Sequence, residues 1–152
     1  MLDLGLSFVA SVARDPNALA IVDGDVRLSY AQWYARISAL VAGFDGIGLK
    51  AGDHLVTVLQ NRWEAASLHW ACQVAGIVIT PVNWRATASE LDFFANDAEA
   101  KAVAYEDASA AAVGGSAAAQ NLPRIALDAA ALPAVAFSAL ISQAAPEALP
   151  RA

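Results

Sequence analysis

The sequence predicts an α/β fold, an N-terminal hairpin followed by β-α-β units that build a mainly parallel, doubly wound sheet. Three observations predict it. Apolar runs of strand length alternate with helical periodicity as far as Asp107. Three strand-to-helix junctions carry the same capping pattern, Ser29 with Gln32, Asn61 with Glu64, and Thr87 with Glu90. The run at 54–60 holds Leu55, Val56, Val58 and Leu59, too continuously apolar for a sheet wetted on one face.

The elements follow in order. "ALAIVDGDVRLSY" reads as two short β-runs around Asp23-Gly24, a pair that tolerates the positive φ of a tight turn. Ser29 and Gln32 then open a helix in which Trp33, Ile37, Leu40, Val41 and Phe44 recur on one face, with Gly46 as its C-terminal cap. A Gly52-Asp53 turn leads into the strand at 54–60, expected at the centre of the sheet. Asn61 and Glu64 open the next helix, whose Leu68, Ala71, Cys72 and Ala75 share a face and which Gly76 stops. "IVITPV" is the following strand, and Thr87 with Glu90 starts a helix carrying Leu91, Phe94 and Ala95. "AKAVAYE" is another strand. Strands joined by helices of crossover length are parallel, which gives a layered α/β core over 1–107.

Beyond Asp107 the composition changes. Residues 108–122, "ASAAAVGGSAAAQN" and its surroundings, are low in charge and complexity and read as a flexible surface segment. Residues 123–143 hold a terminal strand, "RIALD", and a helix around Phe137. The Pro-interrupted stretch 144–152 reads as a linker towards a missing remainder.

Composition excludes several classes of function. A chain of 152 residues with 58% hydrophobic and 16% charged residues packs a core and is not disordered. The net charge of −6 and the lack of a Lys/Arg cluster argue against nucleic acid as a partner. Cys72 is the sole cysteine, so no internal disulfide forms, and its helical setting makes it a small buried apolar residue. Asp3 stands where a signal peptide carries positive charge, and Gln73, Pro81 and Asn83 interrupt the most apolar stretch. The expectation is a cytoplasmic protein without a membrane span.

Three stretches together resemble the adenylate-forming enzymes, the family of acyl-CoA synthetases, firefly luciferase and the adenylation domains of peptide synthetases. "DPNALAIVDGDVRLSYAQW" is similar to the family's opening hairpin and its Leu-(Ser/Thr)-Tyr, here Leu28, Ser29 and Tyr30. "GLKAGDHLVTVLQNRWE" resembles its Gly-Leu-x-x-Gly-Asp strand entry and Asn-x-x-Glu helix start. "WACQVAGIVITPVNWRATASEL" resembles the motif in which a strand ends in Pro-x-Asn-x-Arg, and Asn83 in that motif is closer to acyl- and aryl-CoA synthetases than to peptide-synthetase domains. The resemblance spans Asp15 to Glu106. It implies a Rossmann-like subdomain of an acid-thiol ligase that uses ATP, Mg²⁺ and coenzyme A on a carboxylic acid substrate.

The family's Lys-bearing phosphate loop, its ribose-binding Asp and its catalytic Lys have no match here; the two lysines, Lys50 and Lys101, lie outside any Gly-rich context. The segment alone is therefore expected to be inactive, with no catalytic residue and no metal ligand of its own. A stand-alone flavodoxin-like binding or interaction module without catalysis is the alternative, and a homodimer is a further expectation.

The candidate pocket residues are Asn83, Trp84 and Arg85. Arg85 is a fixed cation beyond the carboxyl end of a strand, where α/β folds place ligands, or else it forks to Glu90 or to backbone carbonyls and orders the loop. Trp84 offers a face for an acyl chain or adenine, or for a neighbouring subdomain. Asn83 is expected to bond its own backbone and hold the turn. His54 and His69 have no second ligand at metal-binding spacing.

Overall fold

A computed structural model describes residues 3–129 and 132–151. Helix α1 (Leu4–Arg14) starts at Asp3, whose carboxylate accepts the Leu6 N–H at 2.9 Å. The hairpin β1 (Leu19–Asp23) and β2 (Val26–Ser29) turns through Gly24, at φ +55°, and Asp25. Then come α2 (Tyr30–Gly46), β3 (His54–Val58), α3 (Trp63–Ala75), β4 (Val78–Val82), α4 (Ala88–Asp97) and β5 (Ala102–Tyr105). A single 3-10 turn (Asp107–Ser109) precedes α5 (Ala110–Gly115), α6 (Ala117–Gln120), β6 (Arg124–Ala126), β7 (Val135–Ala136) and α7 (Phe137–Ile141).

The five-stranded sheet has the order β4-β3-β5-β6-β7 and every pairing in it is parallel. Alternate residues feed two separate cores, as the period of a strand demands. Leu55, Ala102, Ala104 and Ile125 point into the cluster under α1, α2, α3 and α7, while Val56, Val58, Val103 and Ala126 point into the one under α4, α5 and α6. The doubly wound α/β architecture expected from the sequence is the one observed. The hairpin stands apart as a sheet of its own against α2 and α3.

Two of the three capping boxes form. Ser29 and Gln32 satisfy each other's backbone at α2, and Thr87 and Glu90 do so at α4. The third does not. The N-cap of α3 is Arg62, with no side-chain cap of its own, because Glu64 is drawn into a two-pronged ion pair with the Arg62 guanidinium at 2.8 and 2.9 Å. The Trp63 N–H is capped instead by Asp23 from the hairpin, at 2.9 Å.

Other expectations are corrected too. Gly46 is the last residue of α2, and the positive φ falls at Gly48, +85°. The strand expected at 54–60 ends at Val58 and lies second in the sheet, with β5 in the middle. Phe94 is 41% exposed and does not share the core with Leu91 and Ala95.

Residues 108–122, expected to be flexible, fold as a crossover: Val113 and Ala119 are fully buried, and Asp92 of α4 accepts the Ser116 hydroxyl at 2.6 Å and the Ala118 N–H at 3.0 Å. Ala-rich stretches favour helix once one face finds a partner. The expected linker is docked as far as it is described. Arg151 donates its N–H to the Val74 carbonyl at 2.8 Å and forks onto Asp45 at 2.9 and 3.0 Å, and the Ala148 N–H reaches Ser38. Helix α1, with Phe8 and Val12 buried, and β7 were not expected at all.

Candidate functional site

Strand β4 is an edge strand, and the chain leaves it through Asn83-Trp84-Arg85. The Asn83 side chain accepts the Arg85 N–H at 2.9 Å while its carbonyl accepts the Ala86 N–H at 2.9 Å, so Asn83 builds the turn from its own atoms. The turn delivers the chain to Thr87, the N-cap of α4. Trp84 lies beneath the Arg85 guanidinium, whose carbon sits 4.2 Å from the ring centroid.

An open groove of about 510 Å³ runs along the second half of β4, lined by Thr80, Pro81, Asn83, Arg85, Glu90 and Phe94 among others. The structure thus brings Asn83 and Arg85 to one groove and leaves Trp84 outside it, as the platform that fixes the cation. The fork from Arg85 to Glu90 is not formed: Arg85 makes no ion pair among the described residues.

A second polar centre closes the carboxyl ends of the inner strands. Arg62, after β3, reaches Glu64 at 2.8 Å, Glu106 after β5 at 3.2 Å and Asp128 after β6 at 3.0 Å. Glu106 is only 4% exposed and also accepts the Gln60 N–H. Asp128 accepts the Asp107 N–H at 3.0 Å, and that bond, helped by Arg62, holds its carboxyl below the usual range. The neighbouring Glu64 carboxylate in turn raises Arg62 further above its already high value.

One guanidinium faces three carboxylates here, an arrangement that repels phosphate and ties three loops together. The sequence reading missed it because Glu106 and Asp128 lie 44 and 66 residues from Arg62. A signal was present: Glu106 follows an apolar strand directly, and Asp128 lies two residues beyond one, at the positions where α/β sheets concentrate their polar groups.

The remaining candidates hold no chemistry in common. The His54 Nδ1 is 3.3 Å from the Thr80 hydroxyl, and the His69 ring meets Trp70 edge-on. Burial pushes the Cys72 thiol up to about 12, far from a reactive thiolate. Among the described residues no group of three or more His, Cys, Asp or Glu is placed to hold a metal ion, and no helix is long and apolar enough to cross a membrane.

Comparison with known proteins adds a further layer. Residues 8–149 match the family model described as AMP-binding enzyme. The salicylyl-CoA synthase / salicylate adenylyltransferase of a Streptomyces species is 35% identical over 91 residues, which is 60% of this chain and 16% of that enzyme. Feruloyl-CoA synthase of an Amycolatopsis species is 31% identical over 102 residues, 67% of this chain and 21% of that enzyme. The solved benzoate CoA ligase of Burkholderia xenovorans LB400 superposes with a TM-score of 0.86 at 18% identity, covering 100% of this chain and 30% of that one. That likeness is one of fold.

Proposed function

Because the chain belongs to the AMP-binding enzyme family, we propose that it is the N-terminal part of an acid-thiol ligase, an acyl-CoA synthetase that activates a carboxylic acid with ATP and passes the acyl group to coenzyme A. One observation carries this reading: the family match runs through residues 8–149 here, while the chain spans only 16% and 21% of two relatives named as a salicylyl-CoA and a feruloyl-CoA synthase. The parent would join acid and thiol through an acyl-adenylate, with Mg²⁺ on the nucleotide.

The residues of this segment do not fit ATP or Mg²⁺. Three carboxylates crowd the strand ends around Arg62, and the N-terminus of α3, which would otherwise attract an anion, already holds the Asp23 carboxylate. The contribution of the segment is architectural: it supplies one sheet of a larger domain, and nucleotide chemistry belongs to the rest of the parent. Asn83 and Arg85 would line one wall of a substrate pocket completed by other residues. A cytoplasmic setting and self-association as a homodimer belong to the same proposal. As a binder of anions at the strand ends, the alternative of a stand-alone flavodoxin-like module is disfavoured by the three carboxylates around Arg62.

The test is acid-dependent exchange of pyrophosphate into ATP. The full-length product of the native gene is expected to catalyse it with an acyl or aryl acid, and the 152-residue chain is expected to give none above a buffer blank. A full-length product inert towards a panel of such acids would remove the ligase reading, and exchange by the short chain would overturn the assignment of its role.

A further inference from the structure

We infer that helix α1 and the strap formed by residues 146–151 are one cooperative latch across α2 and α3, a unit that opens and closes as a whole while the five-stranded sheet stays folded. The two lie far apart in the sequence and share one seat. Phe8 of α1 packs against Trp33 and Tyr34 of α2 and Trp70 of α3, with ring centroids 5.3, 6.0 and 5.1 Å away. The strap crosses the same two helices. The Tyr34 hydroxyl donates to the Ala148 carbonyl, the Ala148 N–H donates to the Ser38 hydroxyl at 3.1 Å, and the Arg151 N–H donates to the Val74 carbonyl at 2.8 Å.

Two contacts make the pair cooperative. Tyr34 serves both partners, with its ring against Phe8 and its hydroxyl on the strap. Gly5 sits where they touch: a methyl group there would lie 3.0 Å from the Gln73 carbonyl oxygen and 3.3 Å from the Pro150 Cβ. Helix α1 lies this close to α3 and to the strap because the residue has no side chain. Loss of either partner removes contacts from the other, and a coupling of this kind acts equally in both directions.

The latch is weaker than the sheet beneath it. Residues 146–151 have no regular secondary structure, and the fork from Arg151 to Asp45 joins side chains 42% and 53% exposed, where an ion pair contributes little. A groove of about 470 Å³ remains between the strap and α2, lined by Ser38, Val41 and Asp45 on the helix side. Strand β5, by contrast, is paired on both sides and buried along its length. Few buried contacts and exposed backbone mark a segment that opens at low cost. Opening uncovers the faces of Trp33 and Trp70 that Phe8 occupies.

Hydrogen exchange of the 152-residue chain under native conditions, read by NMR in increasing urea, tests this without depending on the ligase reading. In the unmodified chain the amides of α1 and those of Ala148 and Arg151 are expected to converge on one common opening, at least about tenfold more frequent than that at Val103 in β5. Tyr34→Phe removes only the hydroxyl, and is expected to speed exchange in the strap and in α1 together by about fivefold. Phe8→Ala, made on α1, is expected to speed exchange at Ala148 and Arg151 by the same factor as in α1 itself. Four results would overturn the inference: strap amides that open separately from α1, α1 amides indifferent to Tyr34→Phe, a strap indifferent to Phe8→Ala, or exchange in α1 and the strap no faster than at Val103, which would mean that the whole domain opens at once.

Discussion

Two arginines at two strand ends show how differently one residue type is used. Arg62 follows β3 and is gripped by Glu64 in the first turn of α3 and by Glu106 and Asp128, which follow β5 and β6. Arg85 follows β4, rests on Trp84 and meets no carboxylate among the described residues. The first is a clasp that turns inward and closes the part of the sheet where a ligand would sit; the second is a cation presented outward on an edge. The lesson concerns topology. An inner strand is flanked by loops that can converge on one guanidinium, whereas an edge strand has neighbours on one side only.

The sharpest way to break the contrast is to truncate each arginine. Arg62→Ala leaves Glu106 buried beside two other carboxylates with no cation, and the free energy of unfolding in urea is expected to fall by about 3 kcal/mol. Arg62→Lys keeps the charge but loses the fork, and should recover part of that loss. An Arg62→Ala variant as stable as the parent sequence would show that the clasp does not hold the loops.

Acid is the next lever. The Asp128 carboxyl is depressed in the folded state, chiefly by the Asp107 N–H and then by Arg62. Its contribution to stability is therefore complete above its unfolded pKa of about 3.9 and is lost as pH falls through its lower folded value. Unfolding curves on either side of about pH 4 are expected to show this loss, and Asp128→Asn is expected to flatten that part of the profile. An unchanged profile in the variant would remove Asp128 from the clasp.

The smallest effect belongs to the other arginine. Arg85→Ala forfeits an exposed cation–π contact and is expected to cost about 0.5 kcal/mol in the monomer. A loss comparable to that of Arg62→Ala would make Arg85 a latch after all.

How much of this was readable from the residues follows from which interactions are local. Ser29 with Gln32 and Thr87 with Glu90 act within one helical turn, so spacing alone locates them. The unbroken apolar character of Leu55, Val56 and Val58 reports burial on both faces, and that is how the doubly wound sheet became visible. Asn61 with Glu64 had the same spacing and failed, because a charge-assisted fork to Arg62 outcompeted a backbone N–H.

The clasp, the docked tail at Arg151 and Asp45, and the cap lent by Asp23 to α3 join residues far apart in the chain, which periodicity cannot register. Helix α1 is a different case. Asp3, Phe8 and Val12 carry both a cap and an i,i+4 apolar pair, so its signal is local and present in the sequence. At the candidate site, the turn-building role of Asn83 was readable from its type, whereas the stacking of Arg85 on Trp84 and the exposure of Phe94 depend on side-chain directions that appear only in the fold.

The most direct test of the central claim is the intact mass of the protein as its native source makes it. A mass several times the 15.7 kDa of this chain is the predicted result, as expected for a segment of a longer ligase. A mass of 15.7 kDa would contradict that claim and leave a free-standing α/β domain in its place.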